Sequence, residues 1–149
     1  MTEEQVAKAV MAWLSVHGWE ILDYDFPGGG TGRRFRFSAA ENPNDKNAGA
    51  FCPDIVAWKD GRFLLCENKA ADTPSDYDKQ ARVKSEPTLA DQLHAAYPDK
   101  SLTLILTAIA FSGPFVNQDR AATRNIDFVL SILENNDVTV SREPGSFTL

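Results

Sequence analysis

Cysteine and histidine are scarce in this sequence, which contains only two of each. Cys52 and Cys66 lie in apolar, strand-like runs outside any C-x-x-C motif, so the spacing that a zinc site requires is missing. Free cysteines in such runs are usually buried. We therefore predict two buried thiols and no zinc site.

Long apolar runs and an excess of basic residues are also missing. No stretch approaches the ~20 apolar residues of a membrane span, and Met1 to Glu4 lacks the basic and apolar regions of a signal peptide. We expect a cytoplasmic protein with no membrane partner. The net charge is −6, whereas proteins that grip nucleic acid over a long footprint are usually basic. Any contact with nucleic acid must therefore come from a local basic patch.

The apolar residues that are present follow regular patterns along one predicted domain, residues 1–149. Their spacing predicts helices at residues 3–17, 77–84, 89–97 and 119–135. Apolar or alternating runs predict strands at residues 19–26, 33–37, 51–58, 62–69, 102–110 and 138–141. This order favours an α/β fold with a mixed central sheet and helices on both sides.

The strands on either side of Lys59-Asp60-Gly61 are the most informative part of the sequence. Asp-Gly between two apolar runs is a strong signal for a two-residue hairpin turn. With that turn, Asp54 falls opposite Glu67 on the same face of the sheet, with Cβ atoms ~5 Å apart. Lys69 projects from that face as well, because strand side chains alternate. A bulged three-residue turn would shift this register by one residue.

Two opposed carboxylates destabilise a sheet unless a cation lies between them. Asp54 and Glu67 offer the hard oxygen ligands that Mg²⁺ or Mn²⁺ prefers, and the main-chain carbonyl of Asn68 is a candidate third ligand. Lys69 is suited to hold a water molecule or to stabilise developing negative charge. The competing interpretation is that Asp54 merely begins a strand, while Glu67 and Lys69 form a solvated hairpin edge.

Pro53-Asp54 followed by Glu67-Asn68-Lys69 resembles the signature of the PD-(D/E)xK nuclease superfamily. The resemblance implies a restriction-endonuclease-like core and cleavage of phosphodiester bonds with Mg²⁺, with DNA as the commoner substrate. It also implies that Asp54 and Glu67 bind the metal, that Asn68 offers its carbonyl and that Lys69 is catalytic. A homodimer, or a larger nuclease complex, is expected because one such domain cuts one strand.

Many members of that superfamily also carry an acid on the first helix. Glu3 is the candidate because it extends the apolar face of Val6 and Val10 by one turn; Glu4 is the neighbouring alternative. Gln80 lies where such folds often begin a second core helix, and it is a candidate for supporting a catalytic water or the phosphate. A surface position for the Lys79-Gln80 pair is the competing interpretation.

Arg33, Arg34 and Arg36 follow a glycine-rich segment and provide the one concentrated basic patch. We predict that they contact the phosphate backbone of nucleic acid; alternatively, they protect a solvated edge strand. The rival hypothesis for the whole chain is a non-catalytic nucleic-acid-binding module or accessory subunit that retains the nuclease fold. Its acidic charge favours that rival, whereas the intact Asp54, Glu67 and Lys69 favour an enzyme.

Overall fold

A computed structural model describes residues 1–26, 52–143 and 149 of the chain. The predicted strand at 33–37, and with it the predicted contacts of Arg33, Arg34 and Arg36, lies outside the described residues. The described helices are α1 (Glu3–Val16), α2 (Pro74–Ser85), α3 (Leu89–Ala96) and α4 (Gln118–Thr123). The described strands are β1 (Glu20–Tyr24), β2 (Ile55–Lys59), β3 (Arg62–Lys69), β4 (Leu104–Ser112), β5 (Phe128–Ile132) and β6 (Val138–Arg142).

Helix α1 begins where the sequence predicts, because Thr2 and Gln5 form a capping box. The Gln5 N–H donates to Thr2 Oγ1 at 3.2 Å, and the Thr2 N–H donates to Gln5 Oε1 at 2.7 Å. These bonds satisfy two of the donors that a helix start leaves without partners. The buried face of α1, with Val6 and Val10 at helical spacing, holds the helix against the sheet. This packing fixes the position of the first turn of α1 relative to the sheet.

The β2–β3 hairpin has the predicted two-residue turn. Asp60 and Gly61 have φ values of 49° and 83°, the positive values that a type I′ turn requires at both central positions. Lys59 pairs with Arg62, and the register continues without a shift to Ile55 and Cys66. The hairpin prediction is confirmed, and the bulged alternative is wrong.

All six strands belong to one mixed sheet with the strand order β1-β2-β3-β4-β5-β6. β1, β2 and β3 are antiparallel neighbours, β3, β4 and β5 are parallel, and β6 returns antiparallel to β5. Helices α2 and α3 lie in the connection between β3 and β4, as a parallel pair requires a crossover. The strand that carries Glu67 and Lys69 is therefore an interior strand of the sheet, not its edge.

Helices cover both faces of the sheet, which confirms the predicted α/β class. Helix α1 packs on one face, against alternate residues of β2 to β5 such as Leu64 and Ala108. On the opposite face, α2 and α3 cover Val56 and Leu65, and α4 closes a smaller cluster with Ile109. Among the helices that the structure describes, none combines the length and hydropathy that a bilayer crossing demands.

The predicted helix at 119–135 is wrong. The chain instead forms the short α4 and then the fully buried strand β5, with Asn125 between them at φ 55°. Val129 and Leu130, which would lie on the same side of that helix, point to opposite faces of the sheet and join different core clusters. Leu133 lies beyond the strand and is exposed. An apolar run that is buried on both faces carries no alternation, so it satisfies helical spacing by coincidence.

Candidate functional site

The open end of the hairpin, opposite its turn, brings together the residues that the sequence pattern predicted as a site. Asp54 immediately precedes β2, and Glu67, Asn68 and Lys69 end β3. Asp54 directly precedes Ile55, whose pair with Cys66 is the last of the hairpin. Its Oδ2 accepts a 2.7 Å hydrogen bond from the main-chain N–H of Asn68. This bond anchors the first acid beside the second strand.

Glu67 is the most enclosed acid of the site, with 1% of its surface exposed. Its Oε1 lies 2.6 Å from Lys79 Nζ and 3.6 Å from Lys69 Nζ. Its Oε2 is buried and has no hydrogen-bond partner among the described residues. A buried carboxylate oxygen without a partner carries a desolvation cost, so the pair with Lys79 satisfies only half of this group.

Lys69 connects the hairpin to the first turn of α1. Its Nζ lies 3.7 Å from Glu3 Oε1, so Glu3 reaches the predicted site from the helix. Glu4 instead pairs with Lys8 at 2.6 Å on the exposed side of α1. Of the two candidate acids on α1, Glu3 is the one beside Lys69.

The charges around Lys69 keep it cationic. Burial lowers the pKa of Lys69, but the nearby carboxylates of Glu67, Asp76, Glu3 and Asp54 outweigh burial and raise that pKa above its ordinary value. An ammonium group of this kind donates hydrogen bonds and offers positive charge. It does not act as a general base at neutral pH.

The pKa of Asp54 is raised, as expected of a carboxyl group that lies close to another carboxyl group. Burial, followed by the negative charge of Glu67, raises its pKa from 3.8 to about 7. The Asn68 N–H, Lys79 and Lys69 oppose this rise but do not cancel it. Ionisation of Asp54 therefore carries a penalty that an ordinary aspartate does not have, and an added cation would relieve that penalty.

Helix α2 contributes two residues that the sequence pattern did not predict as site residues, Asp76 and Lys79. Asp76 is 6% exposed, and burial raises its pKa. The two residues lie three positions apart, so they share one face of α2. That spacing was visible in the sequence, but no local feature indicated that this face turns toward β3.

Gln80 is fully buried, so the predicted surface position is wrong for this residue. Its Nε2 donates to the main-chain carbonyls of Ala108 at 2.9 Å and Leu65 at 3.4 Å. The amide therefore links α2 to the backbones of β3 and β4, next to the strand end that carries Glu67. A catalytic role for Gln80 stays a prediction; the contacts observed are those of a residue that positions α2.

Several buried polar atoms in this region have no hydrogen-bond partner within the described part of the chain. They are Glu67 Oε2, Asn68 Nδ2, Asp76 Oδ2 and Gln80 Oε1. The side chain of Asn68 accepts from the Cys66 thiol at 3.6 Å. Cys66 packs with the α1 side of the sheet, so the Asn68 carboxamide does not join the acids, and only its main-chain carbonyl is a candidate metal ligand.

The donor set suits a hard divalent cation that keeps part of its water shell. Across residues 1–26, 52–143 and 149, no three His, Cys, Asp or Glu side chains come together as ligands for one ion. Mg²⁺, however, is commonly held by one or two carboxylates, with water completing the shell. Asp54 and Glu67 supply two carboxylates, of which one is penalised when ionised and the other has an oxygen without a partner. These groups fit such an ion.

Comparison with protein-family models and with curated sequences adds no constraint on this site. No protein-family model matches the chain, and no curated protein sequence matches it.

Proposed function

We propose that this protein is a Mg²⁺-dependent endonuclease that hydrolyses phosphodiester bonds in DNA. The observation that carries the proposal is the convergence of Glu67, Lys69 and Glu3 within ion-pair distance, beside an Asp54 that is bonded to the same strand end. Two acids and an amine are the groups that the PD-(D/E)xK resemblance implies, and many members of that superfamily also carry a further acid on the first helix. A restriction-endonuclease-like identity for the fold is part of this proposal.

Asp54, Glu67 and the main-chain carbonyl of Asn68 are the groups that would hold Mg²⁺ or Mn²⁺. When bound, such an ion supplies Lewis-acid polarisation of a phosphoryl oxygen and positive charge in an acidic site. The Asn68 N–H fixes the orientation of Asp54. Burial of Glu67 between β3 and α2 keeps bulk water away from its carboxylate, which strengthens electrostatic interactions there.

Lys69 is the group that we assign to transition-state stabilisation. Its ammonium is held between Glu67 and Glu3 at 3.6 and 3.7 Å, and its side chain remains 29% exposed. A charged donor that reaches solvent beside two acids can contact an incoming phosphate. Glu3 positions this ammonium from the helix, and Gln80 holds α2 against the strands.

The remaining parts of the proposal concern partners and location. Asp25 N–H donates to the Asp54 carbonyl at 2.8 Å, which holds the end of the described range 1–26 beside Asp54. Arg33, Arg34 and Arg36 lie outside the described residues. We propose these arginines as the backbone contacts, since the net charge of −6 offers no broad basic footprint. A homodimer or larger nuclease complex, and a cytoplasmic location, complete the proposal.

The test is a nicking assay on supercoiled plasmid with Mg²⁺ or Mn²⁺. Asp54→Ala and Lys69→Ala should each lower the rate about 10²- to 10³-fold, the usual cost of removing one preorganised charged group. Asp78→Ala and Lys8→Ala are matched controls, because they make the same charge changes on surface ion pairs. Equal activity in all variants would refute the assignment of the site.

One observation favours the second candidate, a non-catalytic nucleic-acid-binding or accessory subunit. Lys79 Nζ lies 2.6 Å from Glu67 Oε1, so a protein ammonium stands against a proposed metal ligand. Wild-type protein that binds DNA but cleaves neither DNA nor RNA with either metal would support this candidate over the enzyme.

A further inference from the structure

Two lysines approach the same oxygen of Glu67, and they do so differently. Lys79 extends from α2 and reaches Glu67 Oε1 at 2.6 Å, which is a direct charge-assisted hydrogen bond. Lys69 extends from the end of β3 and stays at 3.6 Å from that oxygen, while also approaching Glu3. Lys79 is thus the primary counter-ion of Glu67, and Lys69 is shared between two acids.

The Lys79–Glu67 contact joins a buried carboxylate to a partly exposed ammonium group that can move into water. The Glu67 side chain is 2% exposed, whereas that of Lys79 is 36% exposed. Lysine has a long, flexible stem with a strongly hydrated head, so its ammonium can leave the acid and enter water without moving α2. The helix itself is held by the buried Gln80 and Tyr77.

We propose that Lys79 is a resident counter-ion that neutralises Glu67 in the metal-free protein and is displaced when a divalent cation binds. This inference rests on the proposed function, in which Glu67 is a metal ligand. Buried Glu67 without any cation would be strongly destabilising, so the ammonium preserves the site until the metal arrives. The cost is weaker metal binding, because the Lys79–Glu67 bond must first break.

The decisive variant is Lys79→Met, which keeps an unbranched, flexible side chain one atom shorter and removes its charge. In calorimetric titrations with Mn²⁺ alone, at about pH 8 where a raised carboxyl pKa interferes least, we expect the variant to bind about tenfold more tightly than wild type. The variant lacks the charge-assisted hydrogen bond from Lys79 that competes with the metal for Glu67, and the loss of one such bond accounts for an effect of that size. Lys79→Arg, which keeps the charge, should bind Mn²⁺ within about twofold of wild type.

A second readout is the thermal unfolding midpoint, which does not depend on activity. Without metal, Lys79→Met should melt below wild type, and saturating Mn²⁺ should close that gap. Lys84→Met is the matched control on the same helix, because Lys84 pairs with Asp127 at 2.7 Å, away from the proposed ligands. Its midpoint should also fall, but Mn²⁺ should leave its gap to wild type unchanged.

The outcomes separate this inference from the proposed function. Suppose that wild type and Lys79→Met bind Mn²⁺ with the same affinity and that Mn²⁺ does not close the gap between their unfolding midpoints. The displacement model is then wrong, while the metal site is still supported. If neither protein binds Mn²⁺, both proposals fail. If only Lys79→Met binds, the counter-ion role is supported, and the wild-type site is one that its own lysine blocks.

Discussion

Helix α2 carries two lysines that each bind a carboxylate of the sheet region, and the two acids differ in how completely they are bonded. Lys84 Nζ lies 2.7 Å from Asp127 Oδ2, which also accepts from the main-chain N–H of Thr107 at 2.9 Å and from Thr107 Oγ1 at 3.3 Å. Lys79 Nζ lies 2.6 Å from Glu67 Oε1. The other oxygen of Glu67 finds no partner in the described ranges.

Nearly equal ion-pair distances therefore accompany different roles. The oxygen of Asp127 that pairs with Lys84 is bonded to backbone and side chain together, as expected where a charge stabilises a fold. Glu67 lies beside further acids, and its Oε2 is buried with no partner in the described ranges. Such a group calls for an ordered water, an ion or a functional role. Bonding completeness, more than distance, distinguishes the structural pair from the candidate functional one.

Neutralising each acid in turn is the strongest test of whether the two ion pairs have different roles. Asp127→Asn should lower the free energy of unfolding by about 2 kcal/mol, because it leaves the Lys84 ammonium without its carboxylate, while nuclease activity of the folded protein stays near wild type. Glu67→Gln should lower the nicking rate by about 10²-fold or more. It should change the free energy of unfolding by less than about 1 kcal/mol, because it also removes the repulsion between Glu67 and Asp54. Urea unfolding and plasmid nicking provide the two measurements.

The opposite result, loss of activity in Asp127→Asn and loss of stability in Glu67→Gln, would contradict the roles assigned to the two pairs. A Glu67→Gln protein that is severely destabilised would mean that Glu67 is chiefly a structural anchor, like Asp127. Lys84→Met serves as the control from the other side of the structural pair, and it should reproduce the loss of stability of Asp127→Asn.

A smaller effect concerns pH. Asp54 has a pKa of about 7 in the folded state against 3.8 for an ordinary aspartate, chiefly because of burial. Between these values the folded protein binds more protons than the unfolded chain, so the free energy of unfolding should fall as pH rises through this window and level off above it. Asp54→Asn should flatten that fall in metal-free urea titrations.

Metal should reverse the same trend, because a cation competes with the proton on Asp54. Stabilisation by Mg²⁺ should be larger at about pH 8 than at about pH 5.5. Identical slopes for wild type and Asp54→Asn would show that Asp54 is not penalised when ionised. The Asp78→Asn variant is a suitable control, since its pairing with Arg124 lowers the pKa of Asp78 and shifts its titration to lower pH.

The smallest effect separates two neighbouring acids of α1. Glu4 has the closer pair, 2.6 Å from Lys8, whereas Glu3 lies 3.7 Å from Lys69. Glu4→Gln should change the free energy of unfolding by no more than about 0.5 kcal/mol, as exposed pairs do, and should leave activity intact. Glu3→Gln should lower the nicking rate severalfold, because it loosens the Lys69 ammonium. Equal activity of both variants would remove Glu3 from the site.

The sequence predicted this site through short-range rules. The Asp60-Gly61 turn has a strong local preference, and a two-residue turn determines the hairpin register as far as Ile55 and Cys66, the neighbours of Asp54 and Glu67. The capping box and apolar face of α1 are equally local. The predicted meeting of two acids and a lysine follows from these features without knowledge of the rest of the sheet.

The prediction failed at β5 because burial on both faces removes the alternation that identifies a strand. Residues 128–132 are wholly buried in the sheet, so their apolar run also satisfied helical spacing around Val129. Asn125, at positive φ, lies inside the predicted helix. Asparagine tolerates the left-handed conformation of a turn, so Asn125 is the one local signal against a single long helix.

By itself, then, the sequence determined the local elements and the pair of acids at the end of one hairpin, because turns, caps and alternation act over a few residues. Only the tertiary structure decided what surrounds those acids. The parallel pairing of β3 with β4 requires a crossover, and packing of that crossover brings Lys79 to Glu67 and buries Asp76 and Gln80. Contacts of this kind depend on how a helix is oriented over a sheet, and no spacing within the helix specifies that orientation.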